Sequence, residues 1–116
     1  MAAAKYKLKL EQGVTLRKPF TWRAAGVLVD LTGYKARMQI RPEVGSSAVL
    51  ADLTTENGGI LIDDPASGTF VLYLNNAATA ALEFDEAVYD VELIAPNGDV
   101  IRVMQGVVTL SPEVTR

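Results

Sequence analysis

Two pairs of adjacent carboxylates, Asp63-Asp64 and Asp85-Glu86, are the residues of this chain that come closest to chemistry. Paired carboxylates can hold a divalent cation or divide acid and base work between them. Both pairs stand in turn-forming stretches, where acidic side chains accept backbone N–H bonds and recur for local reasons. Neither has the alternating-acid spacing of a calcium loop, and the chain has no histidine and no cysteine to complete a zinc set or act as nucleophile. Ser46-Ser47 lacks the Gly-x-Ser-x-Gly elbow and any histidine base to activate a hydroxyl. Gly58-Gly59 lacks the flanking pattern of a phosphate cradle and reads as a turn. These residues point to no enzyme, no metal site and no cofactor.

The cations are arranged with more order. Lys35, Arg37 and Arg41 fall on one phase of Tyr34–Arg41, and Lys5, Lys7 and Lys9 on one phase of Lys5–Leu10. Side chains of a strand alternate between its two sides, so each set projects from a single face. These six are the candidate partner-contact residues. A nucleic-acid surface would need aromatic side chains among the cations for base stacking. Here Tyr34 falls on the opposite phase, aromatics make up only 7% of residues, and the isoelectric point is near 4.8. Protein partners are expected, and neither nucleic acid nor membrane. Residues 1–41 hold nine basic and two acidic groups, a net of +7, whereas residues 42–116 hold two basic and twelve acidic, a net of −10. Such a division can be satisfied within one domain or between copies, a basic edge meeting an acidic one.

The elements that position these residues read as strands throughout. With 116 residues the chain is expected to form one domain, with 1–10 as a basic N-terminal edge strand or arm and 111–116 as a polar exit. Val14–Arg23 alternates but contains Pro19, which cannot donate to a ladder and so belongs at a sheet edge or bulge. Trp22, Tyr73 and Tyr89 read as core aromatics. Ala48–Thr54, Ile60–Ile62, Thr69–Leu74, Val88–Ala95 and Val100–Leu110 are further strands, separated by Asn-Gly, Pro-Ala-Ser-Gly and Pro-Asn-Gly-Asp turns. Asn75–Leu82 is the one segment of helix formers, with Asn75 or Asn76 as its cap. Seven to nine short strands with one helical turn predict an all-β fold, an immunoglobulin-like antiparallel β-sandwich. Met1–Lys7 lacks the apolar core of a secretory leader, and no apolar run approaches a membrane span, so a soluble chain is expected.

Four segments, YKLKLEQGVTLRKPFTW (6–22), DLTGYKARMQIR (30–41), LTTENGGI (53–60) and VYDVELIAPNGDVIRVMQGVVTLSPEVTR (88–116), occur in an order with a parallel elsewhere. Together they resemble a family of small tailed-phage and prophage virion proteins. They resemble more loosely the N-terminal module of siphophage upper baseplate proteins. The resemblance spans essentially the whole chain, with AAGVLV (24–29) standing where a longer polar hairpin is usual. It implies an immunoglobulin-like sandwich serving as a multi-copy component of a tail, baseplate or collar. The expected location is the virion, after synthesis in the bacterial cytoplasm, with other virion proteins or a homo-oligomeric array as partners. A capsid decoration protein and a host-surface glycan-binding sandwich are the alternative expectations. The resemblance brings no catalytic or ligand residues.

Overall fold

The computed structural model describes residues 3–115. Its strands in chain order are β1 (Ala4–Lys5), β2 (Leu8–Glu11), β3 (Leu16–Thr21), β4 (Arg23–Ala24), β5 (Val27–Leu28), β6 (Lys35–Arg41), β7 (Ala51–Thr54), β8 (Ile60–Leu61), β9 (Thr69–Leu74), β10 (Glu86–Ile94) and β11 (Val100–Ser111). One turn of 3-10 helix (Pro65–Ser67) precedes β9, and one short helix, α1 (Asn76–Ala80), follows it.

Period-two patterning builds the core. In β6 the side chains of Ala36, Met38 and Ile40 are buried, while Lys35 and Arg37 are exposed. In β10 the buried set is Ala87, Tyr89, Val91 and Leu93. These inward sides meet Ile60, Phe70 and Leu72, which come from β8 and β9, in one apolar cluster. Each fully buried Leu, Ile, Val or Phe contributes about 1.5–3 kcal/mol against leaving it in water.

The strands form a six-stranded sheet in the order β1-β11-β10-β6-β7, with β2 also on β11, and a three-stranded sheet in the order β3-β9-β8. The chain crosses between these sheets from β2 to β3, from β3 to β6 by way of the separate β4–β5 hairpin, from β7 to β8 and, through α1, from β9 to β10. Two sheets wired this way around a shared core make an immunoglobulin-like sandwich. β3 pairs only with β9, so Pro19 sits on an edge strand where its missing N–H costs no ladder bond. At the start of α1 the Asn75 side chain accepts a hydrogen bond from the Ala78 N–H at 2.8 Å.

Two features depart from simple antiparallel alternation. β1 and β2 run parallel to β11, with Lys5 opposite Gln105 and Leu8 opposite Val108. A bulge in β11 opposite Val91 and Glu92 places Val103 and Met104, adjacent in sequence, both inside the core. The extra residue shifts the apolar phase of β11 by one, so both halves of the strand keep an inward side. Lys5–Leu10 is correspondingly two short pieces, broken at Tyr6 and Lys7, in place of one continuous strand.

Trp22 is half-buried at the rim of the core, its ring 6.3 Å from that of Tyr34. Tyr73 departs from its expected place. It lies on the outer side of the three-stranded sheet, with the Arg17 guanidinium 4.7 Å above its ring. It shares a phase with Thr69 and Val71, which face away from Phe70 and Leu72.

Candidate functional site

The outer side of the six-stranded sheet carries the chain's most ordered charge pattern, in stripes that follow the direction of its strands. Lys5, Lys7 and Lys9 project from the N-terminal edge because Leu8 and Leu10, on the opposite phase, are buried. Beside them β11 presents Gln105, Val107 and Thr109, and next β10 presents Glu86, Val88, Asp90 and Glu92. Then β6 presents Lys35, Arg37, Gln39 and Arg41. A groove of about 890 Å³ runs across this face, with Lys5, Lys7, Arg41 and Glu86 among its walls and Val88, Gly106 and Val107 in its floor. Val44, 88% exposed in the loop after β6, overhangs it.

The six candidate cations divide into two groups. Arg37 Nε donates to Glu92 Oε1 at 2.7 Å. Lys35 Nζ lies 3.8 Å from Glu56 Oε2. The Glu56 carboxyl is held below its usual range chiefly by the Thr55 hydroxyl, and Lys35 adds the least of the favourable contributions. Arg41 has no carboxylate partner among the described residues, but its guanidinium donates to the Gln39 side chain at 2.6 Å and to the Ser46 carbonyl at 2.7 Å. The β6 cations thus serve their own sheet and loop. Lys5, Lys7 and Lys9 are different: among the described residues none of them has an ion-pair partner within 4.0 Å. Asp90 is engaged instead by Arg102, at 3.3 Å.

The lysine edge is held in place by a contact that sequence patterning alone does not reveal. The Tyr89 hydroxyl, reaching from β10, donates to the Tyr6 carbonyl at 2.7 Å, and the Tyr6 N–H donates to the Gln105 carbonyl at 3.0 Å. Gly106 makes room for this, since a Cβ there would lie 2.3 Å from the Tyr6 carbonyl oxygen. Burial, with a smaller contribution from Tyr6, pushes the Tyr89 hydroxyl up to about 12, so it stays a donor through neutral pH. The Tyr6 ring turns inward, edge-on to Phe20 at 5.1 Å. Gln12 completes the attachment: its side chain donates to the Leu82 carbonyl at 3.0 Å and accepts from the Glu113 N–H at 2.9 Å.

The paired carboxylates stay apart from this face in role. Asp63 and Asp64 are exposed in the turn before the 3-10 helix, where the Asp64 carbonyl accepts from the Ser67 hydroxyl at 2.8 Å. Asp85 is exposed, and its carbonyl accepts from the Leu110 N–H at 3.1 Å, starting the β10–β11 pairing. Glu86 alone of the four faces the groove.

No family model and no curated protein matches the chain. Among solved structures, it is similar to the extracellular domain of the voltage-gated sodium channel β4 subunit, described as a parallel homodimer with a role in cell–cell adhesion. That match has 11% identity and a TM-score of 0.43, covering 98% of this chain and 97% of the other. It is also similar to murine CRIg, with 12% identity and a TM-score of 0.43 over 92% of each chain. Likenesses of this size assign neither activity nor partner.

Proposed function

We propose that this chain is a non-enzymatic structural protein of a tailed-phage virion. It is present in many copies in the tail, baseplate or collar and contacts neighbouring virion proteins through the outer side of its six-stranded sheet. The observation that carries the contact reading is the lysine edge. Lys5, Lys7 and Lys9 stand exposed, without ion-pair partners among the described residues, on an edge segment held at Tyr6 by Tyr89 and close against Gly106. A rigid charged edge beside a half-buried valine floor suits repeated docking against another protein, where complementary charge sets register. The virion setting rests on the order of the four segments that resemble phage and prophage virion proteins. Electron microscopy of particles carrying a labelled copy tests it. Label along the tail, baseplate or collar is expected, whereas label on the capsid shell, or none on the particle, overturns the reading.

A further inference from the structure

The charge stripes on this face are symmetric about β11. Lys5 and Asp90 flank Gln105 from opposite sides, each its direct neighbour in the ladder. Lys9 and Glu86 flank Thr109 in the same way. Neighbouring strands lie about 4.8 Å apart, so the backbone of each lysine is about 10 Å from that of the acidic residue in its own row. Neither lysine forms an ion pair with that carboxylate within the chain. A two-fold axis laid along β11, above the outer face, exchanges the two sides while keeping every row at its own level. It carries Lys5 of one copy over Asp90 of the other and Lys9 over Glu86, and it does so twice.

We infer that the partner of this face is a second copy of the same chain, docked face to face about an axis along β11 with both copies pointing the same way. Val107 lies on the axis between Gln105 and Thr109, the neighbouring outward residues of β11, so the two copies meet there through these three side chains. Aligned packing of sheets is an ordinary geometry for such faces, and an isologous contact uses the same patch on both copies. Asp90 keeps its own Arg102 and gains the partner's Lys5 at the rim of the interface. Three strand columns by three outward rows give a footprint of about 300 Å² per copy, below the roughly 800 Å² of a standard stable interface. The dimer is therefore weak in dilute solution and forms where copies are concentrated. This inference rests on the reading of the face as a contact surface and does not require the virion setting, which can stand if the dimer fails.

Sedimentation of the full chain from micromolar to roughly 1 mM tests it, with reversed charges as the diagnostic. The wild-type chain is expected to show a monomer–dimer equilibrium that weakens with added salt. Lys5→Glu with Lys9→Glu in one variant, and Glu86→Lys with Asp90→Lys in a second, should each lower the association constant roughly ten- to a hundredfold. Mixed one to one, the two variants should recover dimer, because every like-charge pair becomes an opposite-charge pair. A wild-type chain that stays monomeric throughout overturns the proposal. So does a dimer that either variant leaves intact, or a mixture that fails to recover. A chain that stays monomeric yet binds a poly-glutamate peptide through Lys5 and Lys9 assigns the edge to a separate acidic partner, which also overturns it.

Discussion

A methyl group at position 106 would meet the Tyr6 backbone, which the β11 ladder and the Tyr89 hydroxyl hold from two directions. Gly106→Ala is therefore expected to lower stability by about 1–3 kcal/mol in chemical denaturation, because backbone cannot swing aside as a flexible side chain does. Tyr89→Phe removes the hydroxyl and one hydrogen bond, a loss of about 1 kcal/mol. The same hydroxyl sets a pH dependence. Its folded value of about 12 lies above the ordinary value of 10, so unfolded chains lose this proton first as pH rises. Stability from this group is complete below pH 10 and falls between about 10 and 12, and Tyr89→Phe should lack that part of the decline. Tyr89 as an inward-facing residue is legible from its alternation with Asp90. Its hydrogen-bond partner is not, since Tyr6 lies 83 residues away and only the folded sheet brings them together.

Local turn chemistry and strand period account for most of the elements. The Pro96-Asn97-Gly98-Asp99 connection forms as its composition demands, with Ala95 and Gly98 closing the turn at 2.9 Å and Asn97 accepting from the Asp99 N–H at 2.9 Å. Between β7 and β8, Asn57 accepts from the N–H groups of Thr54 and Gly59 at 2.9 and 2.8 Å and donates to the Asp52 carbonyl at 2.9 Å. Asn57→Ala should cost about 1–2 kcal/mol in thermal or chemical unfolding, with no change in the overall fold by circular dichroism. The direction in which the N-terminal pieces pair is invisible in the same patterning. A strand that alternates buries the same side whether its neighbour runs parallel or antiparallel. The long-range bonds of Tyr6 to Tyr89 and Gln105, and of Gln12 to Leu82 and Glu113, anchor that end of the chain. The bulge in β11 is hidden for a related reason: Val103-Met104 is an apolar pair until the opposite strand reveals an extra residue.

On the scale of the molecule, 42 × 29 × 24 Å, the charge division between the two parts of the chain is only partly resolved inside the fold. Arg37 with Glu92 and Lys35 with Glu56 bridge the two parts and Arg102 with Asp90 pairs within the acidic one, whereas the lysine edge keeps its charge for the outside. Reversing that edge, Lys5→Glu with Lys7→Glu and Lys9→Glu, should move the melting midpoint by less than about 2 °C and, under the virion role proposed above, lower incorporation into particles at least several-fold. Quantitative blotting of purified virions against melting curves of the free chain checks both halves. A truncation would not make the same test, because Leu8 and Leu10 on the same segment are each 2% exposed in the core.

By itself the sequence determined the strand character of the chain, the side that strands such as β6 and β10 bury, the turns that join them and the absence of histidine and cysteine. Those properties follow from side-chain type at short range, where period two and turn residues act within a few positions. Tertiary structure alone decided which strands became neighbours, and with that which charges found partners. Arg37 meets a carboxylate 55 residues away across a ladder, while Lys5, Lys7 and Lys9 end at a sheet edge with β11 on one side only. Ion pairing depends on separations of a few ångströms between distant segments, and the register of the folded sheet is what sets them.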